Sequence, residues 1–543
     1  KPEEALQVAR HCQDIDLRKC RLQELRTFAR EMGVPVSGRK IYLAERVEAF
    51  IAKILHANGK DDGATNDKVE EWARRLVASG GYGTACEKGL NDELQKCLLN
   101  SPELSSQIRD SQLDAVIFSL RRGGRALIAD EMGAGKTLIS IAISLFYAEE
   151  WPLLIVAPAG VISNWQSEVR KWLPHLSNTM QLVTKSKEDI DPKKDIVIMS
   201  YDLIARNEHF QRRHDGEAYR VVVLDEAHFI KNKDSRRADQ LFKVCRNATR
   251  CTLLTGTPVL NAAYEVWSLL QALVPDTPPF DLFCERYSRH TRVKENGKEM
   301  ETRWHGAKNE EELHQLLSTI MLRRLKKDVL PNLPKKRRIV QQFQQSNMSL
   351  KSASQIENAI KKANILAREA AERGAPDNSN YSSNLLALRA PDNIRDLLAL
   401  QIWSITGRAK AAAVTTYVTK LLQEKEKVVV FAHHRTVLNA VGEKLSKSGI
   451  KFIRIDGKVS AQNRGELVQQ FQEFDEIRVA ILALTAGCHG ISLTAAHTVV
   501  MAELHWVPGK LLQAEDRVHR QGQMNDVEIH YCIAPEDGNY SDK

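Results

Sequence analysis

The chain has 543 residues, 43% hydrophobic and 27% charged, with 78 basic against 69 acidic side chains for a net charge of +9. That length supports several domains with full cores, and no apolar run approaches the ~20 residues of a bilayer-spanning helix, which excludes such a helix. The mild basic excess fits a nucleic-acid partner without requiring one.

The first periodic segment is Leu22, Leu25, Phe28, Ala29 and Met32, at helical spacing, stopped by Gly33 and Pro35. Ile41, Leu43, Val47, Phe50, Ile51 and Ile54 give a second helix, so residues 1–58 read as a small helical hairpin with Arg39, Lys40 and Arg46 near its turn. Asn58 to Asn66 is polar and Gly/Asp-rich, and 59–100 reads as a linker. From about residue 101 short apolar runs alternate with helical stretches. Ala126–Ala129, Leu153–Ala157, Ile196–Met199, Val221–Leu224 and Thr252–Leu254 are expected buried parallel strands. Residues 282–345 read as helical and charged, and 346–395 as a helical spacer with a flexible break. Alternation then returns over 396–543, with strands expected at Val428–Phe431, Phe452–Ile455, Val479–Leu484, Thr498–Met501 and Val527–Cys532. Two α/β doubly wound parallel sheets in series, 101–281 and 396–543, are the expected architecture. The nine cysteines stand singly, without zinc or redox spacing, and read as reduced thiols. The chain starts at Lys1 without Met and reads as an excised fragment.

The chemistry concentrates at strand ends. After the first apolar run comes Asp130-Glu131-Met132-Gly133-Ala134-Gly135-Lys136-Thr137, which opens an amphipathic stretch. A Gly-rich turn into a helix N-terminus aims backbone amides at phosphate. Gly133 and Gly135 allow close approach, Lys136 brings a cation to the β/γ-phosphates, and the Thr137 hydroxyl suits Mg²⁺. Asp130 stands where the general pattern has its first Gly. Asp225-Glu226-Ala227-His228 ends another apolar run; Asp225 suits Mg²⁺ and Glu226 the polarisation of attacking water. Asp225 to His228 alone also reads as a capped strand end with an exposed salt bridge, but with Gly135-Lys136-Thr137 in a separate βα unit the pair indicates an ATP and Mg²⁺ site. Leu254-Thr255-Gly256-Thr257-Pro258 reads as a plain turn or as a sensor of the phosphate state.

Gln513 to Gln521 reads as one helix with Arg517 and Arg520 on a shared face. They suit triphosphate oxygens supplied from a second lobe, or a solvated basic face. The strip Arg323 to Arg338 holds eight cations against Asp328, and reads either as a solvated face or import signal, or as a phosphate-tracking surface. His433 and His434 lack partners at metal-ligand spacing and read as structural or nucleic-acid contacts. Trp165, Trp172 and Trp506 read as core or lobe-surface aromatics.

In this order the motifs resemble the Swi/Snf family of helicase-like ATPases, within helicase superfamily two, from about Leu104 to Ala534. The resemblance implies two tandem RecA-like lobes with helical insertions. It implies adenine reading by Gln112, and DNA contacts at Asn164, Trp165, Arg323, Arg324, Thr485 and Gly487. It also implies an inter-lobe bridge at Met321 to Pro334 and an arginine-finger motif at Gln513 to Gln523. Phe146-Tyr147, Glu150 to Leu153, Trp172 to Pro174 and Ala502 to Trp506 lean toward the annealing-helicase, fork-remodelling branch. Cys488-His489 departs from the common fifth motif. The N-terminal hairpin, Leu17 to Ile51, resembles a SAP domain, which implies DNA contact by Arg39 and Lys40. The expected activity is a DNA-dependent ATPase, nuclear and monomeric, translocating on double-stranded or forked DNA. Nucleosomes or repair factors are further partners. A nucleosome remodeller and a DNA-tethered scaffold with a dead ATPase are the alternatives.

Overall fold

The computed structural model describes residues 62–80, 89–256, 262–295, 298–343, 392–484, 490–505 and 507–534. The SAP-like hairpin with Arg39 and Lys40, and also Thr257-Pro258, Thr485, Gly487 and Trp506, lie outside the described residues.

Two all-parallel sheets dominate. The first contains β1 (Arg125–Ile128), β2 (Leu153–Ala157), β3 (Met180–Leu182), β4 (Ile196–Ser200), β5 (Val221–Asp225), β6 (Arg250–Leu254) and β9 (Met321–Leu322), in the order β3-β4-β2-β5-β6-β1-β9. A two-stranded antiparallel hairpin, β7 (Arg289–Glu295) and β8 (Lys298–His305), branches off before β9. The second sheet contains β10 (Lys336–Gln342), β11 (Val428–Ala432), β12 (Lys451–Ile455), β13 (Ile477–Ala483), β14 (Thr498–Met501) and β15 (Val527–Ile533), in the order β10-β15-β14-β11-β13-β12.

The strands form because their residues are apolar on both faces. In β2, Leu154 and Val156 pack into one first-lobe cluster while Leu153, Ile155 and Ala157 pack into the other. In β11, Val428, Val430 and Ala432 face one second-lobe cluster and Val429 and Phe431 the other. Each such Val, Leu or Ile contributes about 1.5–3 kcal/mol by leaving water. Period-two partition between two helix-covered faces makes continuous apolar runs read as interior parallel strands.

Several sequence expectations are corrected. The expected linker 59–100 contains helices Asp62–Ala78 and Leu90–Leu99. The first buries Val69, Trp72, Ala73 and Leu76 in the first-lobe core, an i, i+3, i+4, i+7 stripe, and Glu70 pairs with Arg286 at 2.8 Å. The second buries Leu90, Leu94 and Leu98. The span 282–345, expected helical, carries four strands as well. β10 belongs to the second sheet, paired along its length with β15, so the second sheet takes a strand from within the expected insertion 282–345. The expected boundary at 395/396 falls inside the helix Asp392–Glu424. The expected helix through Arg517 and Arg520 ends at Glu515. Beyond it the backbone turns, with Arg517 N–H donating to the Ala514 carbonyl and Val518 N–H to the Glu515 carbonyl, so the two arginines do not share a helix face.

Candidate active site at the lobe seam

β5, β6 and β1 are adjacent and parallel, so their C-terminal ends open on one edge of the sheet. That edge carries Asp225 and Glu226, then Thr255, then the loop Asp130 to Gly135, the usual place for a ligand on such a sheet. Gly133 (φ 81°) and Gly135 (φ 90°) occupy the left-handed region that favours glycine, and Gly135 caps the helix Lys136–Phe146. The Lys136 ammonium folds back on its own loop, donating to the carbonyls of Asp130 (2.8 Å) and Glu131 (3.2 Å). Burial pushes its pKa down, while Glu226, Asp225 and Asp130 oppose that. An anion entering the loop gains a desolvated cation beside a helix N-terminus, where charge pairing is strongest.

Asp225 ends β5 as a half-buried carboxylate. Its Oδ2 accepts from the Trp165 indole N–H at 2.8 Å and its Oδ1 from the Glu226 amide at 2.9 Å. Burial, and then the neighbouring Glu226, raise its pKa; Trp165 and Lys136 pull it back. The Tyr201 hydroxyl donates to the Asp225 carbonyl at 2.8 Å and fixes the strand end. Glu226 is held at φ 54°, ψ 53°, a conformation costly for a side chain with a Cβ. Its Oε2 lies 3.2 Å from His228 Nδ1, which in turn lies 3.4 Å from Thr255 Oγ1. A Cβ added at Gly256 would meet the Met132 side chain at 2.6 Å, so the strand end after β6 packs directly on the phosphate loop. The donor set, a carboxylate and the Thr137 hydroxyl, is all hard oxygen and fits Mg²⁺. The loop, Lys136 and the helix N-terminus fit a triphosphate.

The second lobe closes this edge. A Cβ at Gly133 would lie 3.3 Å from the Arg520 Cβ and 3.3 Å from the Lys326 Cε. Burial, and then Arg517, hold the Arg520 guanidinium down at about 10, and it donates to the Ile491 carbonyl at 3.3 Å. The Arg517 Nε donates to its own turn at the Gln513 carbonyl, 3.2 Å away. Gln112 is buried; its amide donates to the Ala134 carbonyl at 3.3 Å and accepts from the Arg109 N–H at 3.1 Å. Arg109, which the sequence reading missed, donates to the same carbonyl at 2.9 Å and to Gln521 Oε1 of the second lobe at 2.7 Å. Its only sequence signal is its place three residues before Gln112.

Three expected ligand contacts are corrected. Asp130, expected at the cofactor, is fully buried and bound by Arg324, whose Nε and backbone N–H both reach Oδ1 (3.1 and 3.0 Å). A carboxylate beside a polyanion site needs such a cation. Arg324, expected on DNA, is thereby consumed. Trp165, also expected on DNA, is 1% exposed and serves Asp225. Asn164 sits at the seam, its Cβ 3.4 Å from where a Cβ on Gly490 would stand. The basic strip is half neutralised: Arg324, Lys326, Lys336 and Arg338 pair with Asp130, Asp516 and Glu515. Arg323, Lys327, Lys335 and Arg337 remain exposed. His433 and His434 are structural here. Their backbone amides both donate to Glu503 Oε2 at 2.8 Å, and His434 Nδ1 lies 2.6 Å from Glu503 Oε1.

Comparison with known proteins agrees with this layout. A model of the SNF2-related domain matches residues 111–394, and one of the helicase conserved C-terminal domain matches 410–522. The chain is 39% identical over 438 residues to the mouse protein named DNA annealing helicase and endonuclease ZRANB3, covering 80% of this chain and 39% of that one. It is 35% identical over 438 residues to the Xenopus tropicalis SWI/SNF-related matrix-associated actin-dependent regulator of chromatin subfamily A-like protein 1, covering 80% and 43%. To the Caenorhabditis elegans homolog of the latter it is 34% identical over 441 residues, covering 80% and 59%. The chain thus spans about two fifths of the length of the two vertebrate relatives.

Proposed function

The chain belongs to the SNF2-related family of helicase-like proteins, and from that premise we propose that it is a DNA-dependent ATPase that translocates on double-stranded DNA and remodels forked or reannealing strands. The observation that carries this reading is the approach of Arg520 to Gly133 across the seam, which seats the stem of a second-lobe arginine against the phosphate loop of the first while its guanidinium rests on the Ile491 carbonyl.

The site residues take these roles. Lys136 and the loop amides hold the β- and γ-phosphates. Asp225 and Thr137 hold Mg²⁺, which when bound supplies charge neutralisation on the phosphate oxygens. Glu226, aimed by its strained backbone, orients a water and takes its proton as the water oxygen bonds to the γ-phosphorus and the bridging P–O bond breaks. Arg520, with Arg517 three residues before it in the chain, balances the charge that spreads over the transferring group. Lobe closure on ATP and release after hydrolysis move the second lobe along the DNA backbone. Arg323, Lys327, Lys335 and Arg337 are exposed cations of the basic strip that suit phosphate, and backbone contact keeps a motor indifferent to sequence. A nuclear setting in genome maintenance follows from the same family reading.

Nucleosome remodelling is the second reading, favoured by the word chromatin in the name of the Xenopus relative. Phosphate release measured side by side with duplex, forked, single-stranded and nucleosomal DNA tests both. Fork DNA stimulating most supports the first reading. Nucleosomes stimulating beyond naked DNA overturn it in favour of the second, and no stimulation by any DNA overturns both.

A further inference from the structure

One lysine links the phosphate loop to the arginine turn. On the first-lobe side the link is made by backbone and carboxylates. Glu131 Oε2 accepts from the Lys326 backbone N–H at 2.6 Å, and the Glu131 N–H donates to the Arg324 carbonyl at 3.1 Å. From there the Lys326 side chain crosses the seam. Its ammonium donates to Asp516 Oδ1 at 2.6 Å and to the His519 carbonyl at 2.6 Å. Those two acceptors bracket Arg517 and end immediately before Arg520. The Lys326 side chain is 9% exposed, and Nζ stands 3.6 Å from where a Cβ on Gly133 would be.

We propose that Lys326 is a positioning residue for the arginine turn. Its ammonium clasps the turn at both ends and fixes Arg520 at its distance from Gly133, without itself holding nucleotide. A lysine suits this role because a compact charge with several donors on a flexible stem binds a carboxylate and a carbonyl at once. The helix ends at Glu515, so the turn has no continuing helix to hold Arg520 in place. The inference rests on the ATPase reading above.

The test uses the full chain and four variants, Lys326→Met, Lys326→Arg, Asp516→Asn and the double Lys326→Met/Asp516→Asn. DNA-stimulated phosphate release gives kcat and KM, and a fluorescent ATP analogue gives equilibrium affinity. Misplacing a reacting group by about 1 Å costs up to ~10²-fold in rate, so Lys326→Met and Asp516→Asn are each expected to lower kcat between about 10- and 10²-fold. Analogue affinity changes by less than about twofold, because only a transition-state contact is lost. Lys326→Met/Asp516→Asn is no slower than the worse single variant, and Lys326→Arg recovers part of the rate. Effects that multiply, or a loss of affinity equal to the loss of kcat, overturn the positioning role. If Lys326→Met does not fold, Asp516→Asn and Lys326→Arg decide on the same criteria. A DNA-stimulated wild type whose rate is unmoved by any variant overturns this inference alone; a wild type that releases no phosphate with any DNA overturns the ATPase reading with it.

Discussion

The Trp165 indole donates its N–H to the Asp225 carboxylate at 2.8 Å, so a residue buried to 1% exposure orients the carboxylate proposed to hold Mg²⁺. Trp165→Phe keeps most of the packing and removes only the donor. Asp225 then loses a hydrogen bond in a half-buried setting, which costs about 1–3 kcal/mol, and its pKa rises further. Loss of such an orienting partner lowers metal affinity about 10–100-fold. A Mg²⁺ titration of the ATPase reads this as a higher midpoint with the plateau largely kept. An unchanged midpoint contradicts the assigned role.

Arg520→Ala removes the second-lobe cation at the loop. Nucleotide binding is expected to persist while turnover falls by about 10³, the effect typical of an arginine finger. Single-turnover hydrolysis with an independent binding measurement separates the two. Equal loss in both assigns Arg520 to structure.

Glu515 ties β10 to the rest of the second lobe. Its fully buried carboxylate accepts from Lys336 Nζ at 2.6 Å, from Arg338 at 2.7 and 2.8 Å, and from the Tyr531 hydroxyl at 2.6 Å. Burial alone would raise its pKa; these donors outweigh that and hold it at about 2, against an ordinary 4.5. A depressed folded pKa adds stability that is complete above the unfolded value and is lost as pH falls through the folded one. Glu515→Gln is therefore expected to melt lower than the wild type near neutrality, with the gap narrowing as the pH falls from about 5 toward 2. A gap independent of pH contradicts the ion-pair account.

The sequence made most of the sheet architecture legible, and the reasons are local. Gly133, Gly135 and Lys136 follow an apolar run and open a helix, and Asp225 and Glu226 end another, so their neighbours in the chain announce them. The strands Leu153–Ala157 and Thr498–Met501 have the bounds their apolar runs suggest. Partnerships across long separations were not legible. Asp130 meets Arg324 and Asp225 meets Trp165 only because the fold joins different strand ends, and no periodicity marks either pair. A run of charge also misleads at β10, where Lys336 and Arg338 are spent on Glu515 rather than left for phosphate. The stripe Val69, Trp72, Ala73 and Leu76 has helical spacing, but the polar stretch before it makes the segment read as a linker.

The most direct test of the two-lobe ATPase is phosphate release by the wild type and Lys136→Ala, with and without duplex DNA, alongside a DNA-binding measurement. The account predicts DNA-stimulated release by the wild type, none by Lys136→Ala, and DNA affinity retained by both. Hydrolysis surviving in Lys136→Ala, or a wild-type rate indifferent to DNA, would contradict it.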